Sequence, residues 1–296
     1  MTEIHRVGVF AHPLRPQSAP LAHEIAKSLQ ARHVEVMLHT QWDEDSVHDT
    51  IAGLDVVIAI GGDGAMLRAA RVCAVAGVPV LGVNMGRLGF LTEIAEPNSW
   101  ERALDRLFAG DYWIEQRMML HTHVERDNQV TCEAEALNDV VLSRSAITRM
   151  VQLETYIDGG WTTTYNADAL IIATATGSTA YALASGGPIL PPELRNILIV
   201  PVAPHLTLDR PIVLQEGSTV TVVVLTDTES ALSADGVLVA DLTRSDRIII
   251  QASEQRARFV RMRERNYFYR SLLDRLEPRV PPHEHNHLID QSSSNA

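Results

Sequence analysis

Cysteine is scarce in this chain: of 296 residues, Cys73 and Cys132 are the only two. They cannot build a disulfide framework and show no metal-ligand spacing, which fits a reducing compartment. A basic leader followed by a long apolar stretch is missing from the first residues, where the acidic Glu3 precedes a short apolar run, so no secretory signal is expected. No apolar run approaches the ~20 residues needed to cross a bilayer. Positive charge is also in deficit, with 25 Lys and Arg against 37 Asp and Glu, a formal net charge of −12. That balance argues against a protein that coats nucleic acid or an anionic membrane. It also means that any bound polyanion must be offset locally, by backbone amides, basic side chains or a metal cation. A cytoplasmic protein is expected, without nucleic-acid or membrane partners.

Apolar residues make up 46% of the chain and charged residues 21%, enough to bury a large core in one large domain or two ordinary ones. Over the first hundred residues strand-like and helix-like patterns alternate. Residues 6–11, 34–39, 54–60 and 78–83 are apolar runs of the kind buried on both faces of a parallel sheet. Between them, Leu21, Ile25 and Leu29 mark a helix over 19–32, and residues 65–76 form another that Gly77 closes. A third helix is predicted over 98–109, with Trp100, Leu104, Leu107 and Phe108 as its apolar stripe, Asn98 as N-cap and Gly110 as terminator. Strand and helix in alternation mean an α/β layer with right-handed crossovers.

From residue 118 to about 259 the pattern becomes mostly β. Leu120, Thr122 and Val124 alternate with polar neighbours, as do Val151, Leu153, Thr155 and Ile157, and residues 219–225 and 247–251 read as further strands. The one helix expected here runs from 178 to 185. A last helix is expected over 266–276, and the polar, proline-punctuated residues 278–296 are expected to be disordered. No internal repeat is visible.

Gly61-Gly62-Asp63-Gly64 lies directly after the most strand-like run and before a helix. Ligands bind beyond the C-terminal ends of the strands of an open parallel sheet. Glycines there permit close backbone approach, and amides at the helix start can hold phosphate. Asp63 could bind Mg²⁺ or take a proton from a hydroxyl; equally, the glycines could serve turn geometry alone while Asp63 caps the helix. The segment from Thr174 to Tyr181, with Gly177, Ser178 and Thr179, ends a strand over 169–173 and opens a helix, and its hydroxyls suit ribose or phosphate, or ordinary capping. Neither segment is a Walker loop. Asn138-Asp139 at a strand edge could read a purine or orient a ribose, or simply make a turn. Asn84, opening a glycine-containing loop at the same sheet edge as Gly61, is a further contact candidate. His121 and His123 share a strand face but lack a third ligand, so no metal held by histidines is expected.

Together and in this order, Gly61-Gly62-Asp63-Gly64, Asn84-Met85-Gly86-Arg87-Leu88-Gly89-Phe90, Asn138-Asp139, the 173–181 segment with Gly186-Gly187-Pro188, and the stretch from Pro204 to Pro211 resemble the NAD kinase family, over the chain up to about residue 265. The first motif is shared with lipid kinases and 6-phosphofructokinases; the later ones single out NAD kinase. The resemblance implies an N-terminal α/β, Rossmann-like domain over 1–116, a C-terminal domain of packed β-sheets over 117–259 that binds NAD, and a segment over 260–280 returning to the first, followed by the tail 281–296. It implies phosphorylation of the adenosine-ribose 2′-hydroxyl of NAD by ATP, with Asp63 as general base and a divalent cation, Mg²⁺, carried by the nucleotide phosphates rather than by protein side chains. The implied NAD contacts are Asp63, Gly64, Arg68, Asn138, Asp139, Arg149, Asn166, Asp168, Thr179, Ala180, Tyr181, Ala182, Leu183 and Ala184. Gly61, Gly62 and Asn84 are the expected phosphate contacts, and a homodimer or homotetramer is the expected assembly.

Departures from the family pattern stand at Asn166 and Ala169, where members often carry Arg and Gly, at Ala175 in place of Pro, and at Val237 in place of Gln. They bear on the choice between NAD and NADH. Two alternatives to an NAD kinase are a module that senses NAD(P) without turnover, and a kinase of another small molecule or lipid built on the same glycine-rich turn. A sensor needs no base, and a lipid kinase would want an apolar or basic membrane face. Donor choice between ATP and polyphosphate is not legible in these residues.

Overall fold

The computed structural model describes residues 4–12, 15–86, 89–145, 149–227, 229–269 and 272. Its elements are β1 (Arg6–Phe10), α1 (Ser18–Ala31), β2 (Glu35–His39), α2 (Glu44–Ile51), β3 (Val56–Gly61), α3 (Asp63–Ala76), β4 (Val80–Asn84), α4 (Trp100–Ala109), β5 (Trp113–Arg126), β6 (Gln129–Ala136) and β7 (Asp139–Arg144). There follow β8 (Val151–Ile157), β9 (Gly160–Ala167), β10 (Ala169–Ala173), α5 (Tyr181–Ala184), β11 (Asn196–Val202), β12 (Ile212–Gln215), β13 (Val220–Val224), β14 (Ser230–Ala234), β15 (Val237–Leu242) and β16 (Arg247–Arg261).

The four predicted N-terminal strands form the parallel run β2-β1-β3-β4. All six residues of β3 and all five of β4 are buried, as expected of strands covered by helices on both faces. Val7, Val9 and Ile58 pack with Ile25 and Leu29 of α1 on one side, while Val57 and Ala59 pack with Met66 and Ala69 of α3 on the other. Gly77 and Gly110 end α3 and α4 in the left-handed region, at φ 66° and 71°.

Three local expectations are corrected. The N-cap of α4 is Ser99, not Asn98: a single 3₁₀ turn over Pro97–Ser99 precedes the helix, and the Ser99 hydroxyl donates to the Glu96 carbonyl instead of capping. The helix predicted over 178–185 is a 3₁₀ turn at Gly177–Thr179 followed by the four-residue α5. Helix α2 was not foreseen, because its buried apolar residues, Val47 and Ile51, sit in an otherwise polar octet; it is fixed by a capping box between Asp43 and Ser46. The helix expected over 266–276 falls partly, and the tail after 278 wholly, outside the described residues.

The parallel run does not stop at β4. The β16 strand joins it in parallel at Phe259–Val80, then pairs antiparallel with β13 and with β5; β13 leads on to β8 and β9 and β5 to β6, giving one ten-stranded sheet. A second, six-stranded antiparallel sheet runs β12-β11-β10-β7-β14-β15. Leu120, Leu153, Tyr165, Val222 and Ile250 of the first sheet meet Leu142, Leu170, Ile172, Ile199 and Leu232 of the second in a dry interior. The boundaries drawn at 116 and 259 fall within β5 and β16, so these two long strands are shared by both halves.

The join contains buried charge. Arg117 and Arg261, 1% and 0% exposed, each lie 5.1 Å from the Phe259 ring centroid. Their Nε atoms donate to Glu115 Oε2 at 2.9 and 2.8 Å, and the Tyr267 hydroxyl donates to Glu115 Oε1. Burial alone would raise the Glu115 pKa; Arg117 and Arg261 overcome that and hold it at about 2. Removing Glu115 leaves two desolvated guanidiniums without their shared partner. Glu115→Ala is therefore expected to cost about 3–5 kcal/mol, a fall of roughly 6–20 °C in the thermal midpoint. A midpoint equal to wild type would show that the arginines find other partners.

Candidate active site

The glycine-rich turn falls where β3 ends and α3 begins, at the C-terminal edge of the parallel run. Gly61 has φ +157°, and a Cβ there would lie 2.6 Å from Ala65 Cβ, so this position needs glycine for both conformation and space. Gly62 is the N-cap and is extended, with its carbonyl accepting from the Ala65 and Met66 amides. Gly64 lies exposed in the first turn, with open space around its Cα.

Asp63 is the first residue of α3 and is half-buried. Its Oδ2 accepts from the Phe90 amide at 2.7 Å and its Oδ1 from the Leu91 amide at 3.0 Å. A Cβ on Gly89 would overlap this carboxylate, so the loop after β4 can close on Asp63 only with glycine at that position. Neither the two amides nor Gly89 was tied to Asp63 from sequence. Asn84, at the end of β4 beside Gly61, is 1% exposed; its Nδ2 donates to the Gly86 and Ala95 carbonyls, while its Oδ1 is buried without a hydrogen-bond partner among the described residues. That oxygen can accept from a ligand or bind a cation.

Basic groups gather at the same edge. The His12 pKa is lowered by burial and then by the charges of Arg15 and Arg68. Arg68 stacks 5.8 Å from the Trp42 ring centroid and lies 3.9 Å from Glu44. These cations offset the acidic chain locally.

Asn138 and Asp139 stand at the start of β7, and together with Val141, Ser143, Ala180, Tyr181, Ser233, Asp235 and Gly236 they line a cleft of about 450 Å³. Its floor is the outward face of β7. Behind it, Gly177 packs so closely on the Asn138 carbonyl that any side chain there would overlap the backbone. The hydroxyls expected to face ribose or phosphate are spent on shape: Thr174 donates to the Leu137 carbonyl at 2.6 Å, Ser178 to that of Ala175 and Thr179 to that of Thr176. Thr176 Oγ1 is buried without a partner among the described residues. Ala182 faces the core under the second sheet, whereas Leu183 and Ala184 continue α5 at the surface of this segment.

Asn166 and Asp168 lie elsewhere, at the corner where β9 of the first sheet turns into β10 of the second. The Asn166 carbonyl accepts from the His205 amide. Asp168 is held by Arg144, whose Nε and Nη2 approach Oδ1 and Oδ2 at 3.0 and 3.2 Å. Arg149 is exposed just before β8. The residues predicted for one site thus fall in three places: the α3 N-terminus, the β7 cleft and the sheet corner.

The residue that sequence reasoning underrated is Asp235, in the turn between β14 and β15. Its carboxylate accepts the amides of Leu137, Asn138 and Asp139 at 2.9, 2.7 and 3.2 Å, and its Oδ2 lies 3.1 Å from Arg71 Nη1 of α3. The signal was present as Asp235-Gly236 after an alternating strand, but nothing in the spacing tied it to residue 137 or to Arg71.

Comparison with known proteins supplies the family. The model described as ATP-NAD kinase N-terminal domain matches residues 7–112, and that described as ATP-NAD kinase C-terminal domain matches residues 137–262. An NAD kinase of Chloroflexus aggregans is 38% identical over 273 residues, 92% of this chain and 99% of the relative. One from Desulforamulus reducens is 41% identical over 271 residues, 91% and 93% of the two chains. The chain belongs to the NAD kinase family. Among solved structures, a yeast NADH kinase complexed with NADH superposes with TM-score 0.83 at 24% identity, covering 93% of this chain and 88% of that one. An NAD kinase from Archaeoglobus fulgidus in complex with ATP gives 0.70 at 24%, covering 91% and 97%. At that identity the likeness establishes the shared fold. The places where this NAD kinase family member departs from the expected pattern are structurally quiet: Ala169 and Ala175 are buried, and Val237 is half exposed at the tip of the β14–β15 turn.

Burial and the Asp235 charge push the Asp139 carboxyl up to about 7. Since the folded-state value is the raised one, this group contributes stability that is fully present below its ordinary value near 4 and is lost as pH rises through 7. Asp139→Asn removes the titration. Its unfolding free energy, measured by denaturant titration, is expected to gain on wild type as pH rises from 5 to 7, by about 1.4 kcal/mol per pH unit, and to level off above. A gap that stays flat over that range would mean that Asp139 ionises like an ordinary surface carboxylate.

Proposed function

We propose that this member of the NAD kinase family moves the terminal phosphate of ATP to the 2′-hydroxyl of the adenosine ribose of NAD, giving NADP, with Asp63 as general base. The observation that carries the reading is Asp63 itself: a partly open carboxylate at the first position of α3, aimed by two backbone amides and flanked by a glycine turn and local cations. A carboxylate has about four acceptor sites, so two amide bonds fix its orientation and leave capacity for a hydroxyl proton. The ribose oxygen freed of that proton attacks the terminal phosphorus; the bond from phosphorus to the bridging oxygen breaks and ADP leaves. Such transfer depends mainly on positioning and charge neutralisation.

The α3 N-terminal amides, with Gly61, Gly62 and Gly64, are assigned to the phosphates, and Arg68 to countering their charge. Asn138, Asp139 and the segment from Thr179 to Ala184 are assigned to the adenosine half of NAD, and Arg149, Asn166 and Asp168 to its remainder. Mg²⁺ is assigned to the ATP phosphates, where Asn84 Oδ1 is a protein oxygen that could also reach it, and it would supply neutralisation of the phosphoryl charge. No described helix is long and apolar enough to cross a membrane. A cytoplasmic location and a homodimeric or homotetrameric assembly complete the proposal, on the strength of the composition and the family.

Purified protein with NAD, Mg²⁺ and either ATP or polyphosphate is expected to form NADP. Asp63→Asn should still bind NAD but lose about 10²–10⁴-fold in turnover, the usual contribution of a positioned base. Turnover near wild type in that variant would remove Asp63 from the base role. Arg149→Ala is expected to raise the Michaelis constant for NAD while leaving the thermal midpoint within a degree or so. A change confined to thermal stability would make Arg149 structural.

A further inference from the structure

The site is split between two halves of the molecule, which are tied at the substrate loop by the apolar packing of Leu137 with Met66 and Ala69 of α3 and, as a directional contact, by one ion pair. Helix α3 carries Asp63 at its first position and Arg71 eight residues on, about 12 Å along a rigid rod. Arg71, with its side chain 12% exposed, reaches out of α3 to two carboxylates: Nη1 to Asp235 at 3.1 Å and Nη2 to Glu44 of α2. Burial would lower the Arg71 pKa, and those two carboxylates more than reverse this.

Asp235 belongs to the other half. Its side chain is 1% exposed, its backbone is in the left-handed region at φ +48°, and its own amide donates to the Asp139 carbonyl at 2.9 Å. A non-glycine residue keeps that conformation when its surroundings demand it. Here the demand is a set of charge-assisted bonds, in which one carboxylate gathers the amides of residues 137–139 and a guanidinium faces it from α3.

The same loop is held from its other side by partners within its own half. The Thr174 hydroxyl donates to the Leu137 carbonyl, and the Thr174 amide to the Asn138 carbonyl at 2.9 Å. Those bonds shape the loop without relating it to Asp63. The Arg71–Asp235 contact does relate it, because Arg71 and Asp63 are parts of one helix. We propose that Arg71 is a positioning residue, which sets Asn138 and Asp139 relative to Asp63 by holding Asp235 against the amides of residues 137–139. The inference rests on the kinase reading for its catalytic meaning, but not for its structural content.

Replacing Arg71 by Gln should therefore leave the loop folded and let it drift with respect to α3. A displacement of about 1 Å in such a constellation costs up to about 10²-fold in rate. Lysine, a single point charge, can face Asp235 but cannot fork to Glu44 as well, and should recover part of the loss. Because Arg71 and Asp235 act as one unit, Asp235→Asn added to Arg71→Gln should cost far less than it does alone.

The test uses the full-length protein in two arms. Hydrogen exchange of the 137–139 amides, measured without nucleotide, should rise in Arg71→Gln while the rest of the β7 sheet stays protected, and should return toward wild type in Arg71→Lys. In the second arm, kcat/KM for NAD should fall about 10–100-fold in Arg71→Gln, with the thermal midpoint reduced by no more than a few degrees. Wild-type exchange at 137–139 in Arg71→Gln overturns the proposal whatever the activity. So does exchange raised evenly over the whole molecule, in Arg71→Lys as much as in Arg71→Gln, since Arg71 would then serve stability alone. If the wild-type protein makes no NADP, the kinase reading fails, and the exchange arm still decides whether Arg71 positions the loop.

Discussion

Glu115 is the carboxylate around which the two halves of this molecule are assembled. It lies on β5 and receives Arg117 from the same strand, Arg261 from the end of β16 and Tyr267 from the segment beyond. Arg261 in turn donates to the Leu91 carbonyl, and Glu93 accepts the amides of Met262 and Arg263. The loop that closes on Asp63 is thereby bonded to the strands that leave for the β-rich half. Two guanidiniums withdrawn from water are costly in isolation, and the arrangement persists because each has a carboxylate and an aromatic face within reach. The Leu91 residue whose amide points at Asp63 is the one whose carbonyl is fixed by Arg261. A charged junction therefore sits one peptide away from the proposed base.

The positioning logic is repeated at the second junction. Asp63 is aimed by amides of the loop after β4, while Asn138 and Asp139 are aimed by a carboxylate that accepts their own amides. Both devices turn the backbone, the least mobile part of a loop, into the reference for the side chains proposed to meet substrate. Glycine makes each approach feasible: Gly89 under Asp63 and Gly177 under the Asn138 carbonyl leave no room for a Cβ. The glycines that matter most for geometry thus lie partly outside the glycine-rich turn that draws the eye.

The parts of the fold that were legible in the sequence are those where one residue type serves one local purpose. Buried strands such as β3 and β10 announce themselves as unbroken apolar runs, and Gly77 and Gly110 end helices because few other residues take a left-handed φ. Helix α2 was missed because an amphipathic helix that buries only Val47 and Ile51 leaves almost no periodic trace. The site shows the same division. Asp63, Asn84 and the Asn138-Asp139 pair were visible as polar residues at strand ends. Arg71 and Asp235 were not, for they are 164 residues apart and their meeting is a property of the folded chain. For the hydroxyls between Thr174 and Thr179 the sequence left ligand contact and capping both open, since spacing cannot distinguish a hydroxyl turned inward from one turned out. In the fold Ser178 and Thr179 hold the turn's own carbonyls, while Thr174 reaches that of Leu137.

Charge settles why an acidic chain can serve a polyanionic substrate. The excess of carboxylates is not spread evenly over the site: at the α3 N-terminus His12, Arg15 and Arg68 stand close enough for the two arginines to depress the His12 pKa. At the β7 cleft the acidic pair Asp139 and Asp235 shares one neighbourhood, and burial with the Asp235 charge raises the Asp139 pKa. A phosphate chain is favoured at the first place and disfavoured at the second, whereas a nucleoside with hydroxyl and amine donors is welcome at the second. A field of this kind supports the proposed orientation of a dinucleotide, with its phosphates toward α3 and an uncharged nucleoside in the cleft. The Arg71 guanidinium offsets Asp235 from the α3 side, with Nη1 facing that carboxylate and Nη2 facing Glu44. The same ion pair that holds Asp235 in place therefore also offsets part of the negative charge at the cleft.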